Sequence, residues 1–223
     1  MSDAILSHAS RPGSPAVSGT TLAVSMALAV WFALVAVFGA SGTFVTAPGA
    51  PPVPIAIGAT VPVILFLVGL RMSRPFRDFI LSIDPYLIAA IQAWRFAGFG
   101  FLALYTYGVL PGMFAWPAGI GDIAIAVTAP WILLALLRRP GFAASRTFVL
   151  WNALGVLDLV VAIGTGALAS TLAGGAAGEV TTRPMTLLPL VLIPAFIVPL
   201  YVMLHAIALY QARRLASGQM LRA

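Results

Sequence analysis

Residues 20–40 read TTLAVSMALAVWFALVAVFGA and contain no charged side chain. An apolar run of this length matches the about 20 residues that a helix needs to cross a bilayer. The apolar core of a secretory signal peptide is shorter, about 7–15 residues. The run therefore predicts a retained first membrane span, with a cleaved signal peptide as the alternative.

Five further apolar runs follow the first, and stretches rich in Pro and Gly separate them. The sequence predicts six spans, at residues 20–40, 54–72, 85–109, 117–137, 147–168 and 185–211. The runs lack the alternation of polar and apolar residues that marks the strands of a membrane β-barrel. We therefore expect an all-α, polytopic transmembrane helical bundle. Residues 19–212 form its single domain, preceded by a disordered polar tail (1–18) and followed by a basic tail (213–223).

The composition of the whole chain predicts the same class. Of its 223 residues 61 % are hydrophobic and 8 % are charged, whereas a soluble domain is about 45–50 % apolar and about 25 % charged. The surplus apolar surface must face lipid. This excludes a cytosolic enzyme, a secreted domain, a nucleic-acid-binding module and a disordered chain. The lipid bilayer is the expected partner, and a homodimer or a larger membrane complex is compatible with it.

The arginines predict the orientation, because cytoplasmic loops of membrane proteins are enriched in Lys and Arg. The chain has twelve basic residues, all of them arginine. One side of the predicted bundle would carry ten: Arg11, Arg71, Arg74, Arg77, Arg138, Arg139, Arg146, Arg213, Arg214 and Arg222. The opposite side would carry only Arg183. We therefore expect both termini in the cytoplasm, and the preference for arginine and alanine favours a bacterial inner membrane.

The residues that are missing limit the cofactors. The chain has no cysteine, so a thiolate metal site cannot form. Its two histidines are His8, in the tail, and His205, which disfavours a bis-histidine haem. A retinal Schiff base requires a lysine, and the chain has none. No metal and no cofactor are predicted.

Two charges of opposite sign fall at matching depth in different spans. Arg95 lies ten residues into the third span and Asp158 eleven residues into the fifth, about 15–16 Å from the cytoplasmic boundary at about 1.5 Å per residue. A charge at that depth is unfavourable unless it has a partner, so we expect the two to pair. Such a pair either locks two helices together or forms part of a functional site.

Asp122 and Gln92 are the other polar candidates within the spans. Asp122 lies five residues into the fourth span from the outer side, about 7–8 Å below the boundary. It is expected either to be stabilised by the helix dipole or to form an outward-facing proton or cation site, with Arg183 as the one nearby cation. Gln92 precedes Arg95 by one turn and extends its polar stripe.

Several further residues are expected to support the site. Trp151 shares a helix face with Asp158, and it is assigned to the inner aromatic belt of the membrane. Asn152 points about 120° away and is expected to bond another helix. His205, near the cytoplasmic end of the sixth span, is interpreted as an interfacial histidine.

Prolines interrupt the sixth span. Pro189, Pro194 and Pro199 recur every five residues, and each removes a backbone hydrogen-bond donor. Broken membrane helices often line a cavity. We therefore expect Pro194 and Pro199 to support a solute path.

The motif Gly119-Ile120-Gly121-Asp122 has the spacing GxGD and resembles the aspartate motif of the intramembrane aspartyl proteases. The resemblance implies an enzyme in which Asp122 and Asp158 share a proton and activate water. It covers four residues. The chain departs from that family because Asp158 follows the motif instead of preceding it, and because Leu157 stands where a tyrosine is expected.

Together these features favour a small transporter with a mid-membrane site of Arg95, Asp158, Asp122 and Gln92. Its solute would be anionic or proton-coupled. Three spans followed by three suit an inverted repeat. One alternative is a non-catalytic accessory or assembly subunit of a larger complex, which needs no site. The other is an intramembrane enzyme, or a lipid- or quinone-binding protein, that uses Asp122 and Asp158.

Overall fold

A computed structural model describes residues 19–218, and the regular structure in this range is entirely helical. The described chain contains six helices long and apolar enough to cross a membrane: Gly19–Ala40, Val53–Met72, Pro85–Thr106, Gly112–Arg138, Arg146–Thr171 and Ile193–Ala216. The prediction of an all-helical chain with six long apolar helices is confirmed. The predicted tail of residues 1–18, with His8 and Arg11, lies outside the described residues, as does Arg222.

Two of the long helices are not regular α-helices throughout. The third consists of α4 (Pro85–Ile91), a 3₁₀ segment (Gln92–Gly98) and α5 (Phe99–Thr106). The sixth begins with a π-helical turn (Ile193–Ile197) and continues as α8 (Val198–Ala216). The remaining elements are α1 (Gly19–Ala40), α2 (Val53–Met72), α3 (Arg74–Ser82), α6 (Gly112–Arg138), α7 (Arg146–Thr171) and short 3₁₀ turns at Phe142–Ala144 and Arg183–Thr186.

Two helix boundaries differ from the prediction by several residues. The helix α6 begins at Gly112, five residues before the predicted start, so that Pro117 lies inside the helix and removes one of its backbone N–H donors. The sixth long helix begins at Ile193, eight residues after the predicted start. Leu187 is extended, and residues 188–191 form turns around Pro189, which has no N–H group to donate.

The amphipathic helix α3 was not predicted from the sequence, because its residues lie between the predicted second and third spans. Ser73 caps it by accepting a hydrogen bond from the backbone N–H of Phe76 at 3.3 Å. Ile80 is buried, and Phe76 and Phe79 pack against the same core. The charged residues of this stretch hid its apolar period, because three of its nine residues carry a charge.

The core lies between the third long helix, α6, α7 and α8. Its largest cluster includes Ile88, Ile125, Phe148, Trp151 and Ile207. The helices α1 and α2 bury few residues and expose large apolar side chains along most of their length. Surfaces of this kind are typical of helices in contact with lipid, so the fold suggests a bilayer environment.

The described chain has two ends of different charge. At the arginine-rich end (residues 71–84, 138–146 and 213–214) the amide of Gln211 donates to the carbonyl oxygens of Ile80 and Ile83. This end holds eight of the ten described arginines. At the arginine-poor end (residues 41–52, 107–111 and 172–192) Pro48 lies against Gly175. Its one arginine is Arg183.

Candidate functional site

Arg95 is the centre of a buried polar cluster. Its side chain is inaccessible, and each of its three nitrogens has a different partner. The Nε atom donates to Oδ1 of Asp122 at 2.7 Å. The Nη2 atom donates to the carboxylate of Asp158, and Nη1 lies 3.2 Å from Nε2 of His205. We call Arg95, Asp122, Asp158, His205 and Asn152 the Arg95 cluster.

The cluster contains more carboxylates than cations. The side chains of Asp122 and Asp158 are 18 % and 13 % exposed. Buried charges are stable only when they are paired and hydrogen-bonded. With both carboxylates ionised, the single guanidinium of Arg95 leaves one negative charge without a counter-charge. A proton or a cation bound at this point would restore balance.

The bonds around His205 define its tautomer. A guanidinium only donates, so Nε2 of His205 must accept from Arg95 and carries no proton. Its Nδ1–H then donates to Oδ1 of Asn152 at 2.9 Å. The Nδ2 of Asn152 in turn donates to the carbonyl oxygen of Phe148 at 2.9 Å. These three bonds are consistent with one another and hold the imidazole neutral.

Two aromatic side chains enclose the cluster. The ring of Trp151 meets the imidazole of His205 edge-on at 5.7 Å, and its Nε1 donates to Oγ1 of Thr128 at 2.8 Å. The guanidinium carbon of Arg95 lies 5.8 Å from the ring centroid of Tyr201, within cation–π range. Tyr201 was not among the site residues predicted from the sequence. Its position one turn before His205 on α8 is the signal that could have identified it.

Three glycines provide the space that the side chains of Asp122, Asp158 and His205 occupy. A Cβ atom at Gly121 would overlap the carboxylate of Asp158, and one at Gly155 would overlap the ring of His205. A Cβ at Gly98 would lie 2.5 Å from Cβ of Asp122. These glycines were not recognised as site residues from the sequence. Each lies within three positions of a cluster residue in the chain, which is a weak signal.

The 3₁₀ segment aligns one stripe of side chains with the cluster. In a 3₁₀ helix residues three apart eclipse each other, so Gln92, Arg95 and Gly98 form a straight row, and all three are buried. Trp94 and Phe96 are exposed on the opposite side. Gln92 is 0 % exposed, yet neither its amide nitrogen nor its amide oxygen has a hydrogen-bond partner among the described residues. A buried amide in this state would be stabilised by a hydrogen bond to a water or to a polar group of a solute.

Three expectations about individual residues were wrong. Asp122 does not lie near the outer boundary with Arg183 as its cation, because α6 starts five residues earlier than predicted and Asp122 bonds Arg95. His205 is 0 % exposed and not interfacial, because Gly155 leaves room for its ring inside the bundle. Trp151 is a core residue and not part of an aromatic belt, since Thr128 accepts its N–H group in the interior.

The predicted prolines form none of the hydrogen bonds of the Arg95 cluster. Pro199 is fully buried at the start of α8. Pro194 lies in the π-helical turn and lines a small cavity together with Phe114 and Ala162. π-Helical turns inside longer helices are frequent at functional sites. Among residues 19–218 no group of three or more His, Asp or Glu side chains is arranged to hold a metal ion.

The chain belongs to the family described as Domain of unknown function (DUF8737), whose model matches residues 52–213. The match covers the greater part of the chain, from just before α2 to the last turn of α8, and includes every member of the Arg95 cluster. No curated protein and no solved structure matches the chain at significant similarity.

Proposed function

We propose that this protein crosses the membrane six times, with both termini in the cytoplasm, and couples the movement of a small anionic solute to that of a proton. The orientation rests on the eight arginines at the arginine-rich end, since cytoplasmic loops carry the excess of basic residues. A bacterial inner membrane agrees with this distribution. The observation that carries the function is the pairing of one buried guanidinium with two carboxylates.

Proton binding follows from that charge balance. In a medium of low dielectric constant the second carboxylate of the Arg95 cluster lacks a counter-charge, so uptake of one proton neutralises the site. Asp122 and Asp158 are both partly exposed, whereas Arg95 is not. Either carboxylate is therefore a reachable proton acceptor, and Arg95 is the fixed cation.

The guanidinium of Arg95 is the group that binds the anion. When one carboxylate takes up a proton, its hold on the guanidinium weakens, and Arg95 can then accept a carboxylate or phosphate group of a solute instead. When the proton leaves, the carboxylate returns to Arg95 and displaces the anion. His205 and Asn152 orient the guanidinium during this exchange, and the unbonded amide of Gln92 provides a further polar contact for a solute.

The irregular helices support a transport cycle. The 3₁₀ segment carries Arg95, and a π-helical turn precedes α8, which carries His205. Such segments within long helices often act as hinges, and in transporters discontinuous helices surround the binding site. Both interruptions therefore flank the proposed site and provide places where the backbone can change conformation.

Infrared spectroscopy of the purified protein tests the proton site directly. We expect the carboxylic-acid C=O band of one group per chain to appear as the pH is lowered, and the Asp158→Asn variant to alter or abolish it. Asp78→Asn, on the exposed face of α3, is the matched control and should leave the band unchanged. A spectrum without any protonated carboxyl other than those of exposed residues would contradict the proposal.

Transport is tested in liposomes that contain a pH-sensitive dye. We expect externally added lactate or phosphate to acidify the lumen when wild-type protein is present, and Arg95→Gln to abolish the signal. If wild-type and Arg95→Gln liposomes behave identically with every anion, and the infrared band is also absent, the cluster is a structural lock. That result would favour an accessory subunit of a larger complex over a transporter.

A further inference from the structure

A cavity of about 400 Å³ with a mixed polar and apolar lining opens at the arginine-poor end, between the end of α7 and two loops. Its polar lining consists of Thr46, Ser170, Thr181, Thr182, Arg183 and Thr186. We call this cavity the vestibule. Its volume falls in the range of about 300–1,000 Å³ that is typical of small-molecule sites.

A second, smaller cavity of about 70 Å³ lies next to the vestibule. The two cavities share Ser170, Thr182 and Thr186. The smaller one also reaches Ala162, which follows Asp158 by four residues on α7. Residues four apart lie on one helix face, about 6 Å apart along the axis. The smaller cavity therefore reaches a position one helical turn from Asp158.

The vestibule carries a single charge, and it is positive. Arg183 is exposed and forms no ion pair within residues 19–218. The other charged group at this end is Glu179, whose carboxylate accepts hydrogen bonds from the backbone N–H groups of residues 174–176 at 2.7–3.2 Å. These bonds lower the pKa of Glu179 and hold its carboxylate in its own loop. Glu179 therefore does not neutralise Arg183.

Three hydroxyl groups of the vestibule are free to donate. The O–H groups of Thr46 and Ser170 have no hydrogen-bond partner among the described residues, and Oγ1 of Thr181 only accepts, from the backbone N–H of Arg183 at 3.3 Å. Hydroxyl donors together with a guanidinium are the groups that bind carboxylate and phosphate oxygens. No carboxylate lines the vestibule to oppose an anion.

We infer that the vestibule is the outer binding site for a small oxyanion, with Arg183 as its cation and Thr46, Ser170 and Thr181 as its hydrogen-bond donors. The role of the vestibule as the first binding site during transport rests on the proposed function, whereas oxyanion binding in the vestibule does not. The inner cavity is lined largely by apolar side chains, among them Phe114, Ile163 and Met185, and is too narrow for a solute. The site and the Arg95 cluster are therefore separated by a closed apolar passage in this conformation.

The test uses the absence of cysteine from the chain, which makes any introduced cysteine unique. The full-length Ser170→Cys variant is treated in detergent with two thiosulfonate reagents of similar size, one carrying a sulfonate and the other a quaternary ammonium group. Thr106→Cys, an exposed position at the same end that does not line the vestibule, is the matched control for intrinsic reactivity. Thr181→Cys provides a second position in the vestibule should Ser170→Cys fail to fold.

We expect the ratio of anionic to cationic reagent rates to be about five- to tenfold higher at position 170 than at position 106, because the guanidinium of Arg183 lines the same cavity as position 170. Adding Arg183→Gln should return the ratio to that of the control. Equal ratios at positions 170 and 106, or a preference that persists in the Arg183→Gln background, would overturn the inference. Neither the proton site nor transport affects this readout, so its failure is distinguishable from failure of the proposed function.

Discussion

Nη1 of Arg95 lies 3.2 Å from Nε2 of His205, although 110 residues separate the two in the chain. The contact is possible because the residue of α7 that faces the imidazole is Gly155. It has a chemical consequence, since a nitrogen that accepts from a guanidinium cannot carry a proton itself. The geometry of the cluster thus determines which nitrogen of His205 carries the proton. The position of His205 in the sequence had predicted only a histidine at the membrane surface.

The histidine tautomer is the first prediction. In a His8→Gln background, His205 is the sole histidine, and ¹⁵N-labelled imidazole should give one set of signals with Nδ1 protonated and Nε2 bare. Asn152→Leu removes the acceptor of the Nδ1–H and should change that pattern. A spectrum of the parent protein with Nε2 protonated, or with both nitrogens protonated, would show that the Arg95 contact is not as described.

The second prediction concerns the charge balance of the cluster. Arg95→Gln leaves two buried carboxylates without a cation, and we expect the free energy of unfolding to fall by about 3–5 kcal/mol. Asp158→Asn leaves one guanidinium paired with one carboxylate, so its loss should be smaller. Denaturant titrations in one detergent give both values. A loss for Asp158→Asn as large as that for Arg95→Gln would mean that the second carboxylate is needed for stability, contrary to the proposed proton site.

The third prediction compares three glycines. Gly121→Ala and Gly155→Ala place a methyl group against the carboxylate of Asp158 and the ring of His205, and each should lower the free energy of unfolding by about 1–3 kcal/mol. Gly164→Ala, in the same helix as Gly155, meets open space and is the control. It should be neutral or stabilising by up to about 1 kcal/mol, because alanine favours helix. Melting curves in one detergent test this order, and equal effects at positions 155 and 164 would contradict it.

The fourth prediction concerns Gln92. A buried amide without a partner is unfavourable by about 1–3 kcal/mol, so Gln92→Met should raise the melting temperature. Gln211→Met is the matched control and should lower it, because the Nε2 of Gln211 donates to two carbonyl oxygens. If Gln92 contacts the solute, the stabilised variant should also transport more slowly. A lower melting temperature for Gln92→Met would instead indicate that the amide holds a bound water.

The fifth prediction concerns pH at the arginine-poor end. The pKa of Glu179 is lowered because the backbone N–H groups of Gly174, Gly175 and Ala176 bond its carboxylate. The contribution of these bonds is therefore complete above the usual glutamate pKa and is lost as the pH falls through the lowered value. Hydrogen exchange at residues 174–176 should accelerate in that acid range, after correction for intrinsic rates. Glu179→Gln should exchange rapidly at all pH values, and protection that survives this substitution would contradict the assignment.

Local sequence patterns were sufficient for the long apolar helices. Each helix is at least about as long as a bilayer crossing requires, so its identity does not depend on its neighbours. The patterns failed where proline or charge changed the local signal. Pro117 lies inside α6 and not at its first position, and the charged residues of α3 concealed its buried Ile80.

The depth argument also led to the contact between Arg95 and Asp158, because the distance of a residue along a helix follows from local boundaries alone. The other partners of Arg95 required the tertiary structure. The packing of α6, α7 and α8 decides which faces of these helices meet. The 3₁₀ segment, with three residues per turn, brings Gln92 and Gly98 into line with Arg95. The sequence by itself determined the helices and the residues that lipid cannot solvate. Packing alone decided that Asp122 and His205 meet at one guanidinium, because helix–helix orientation is a property of whole surfaces and not of residue spacing.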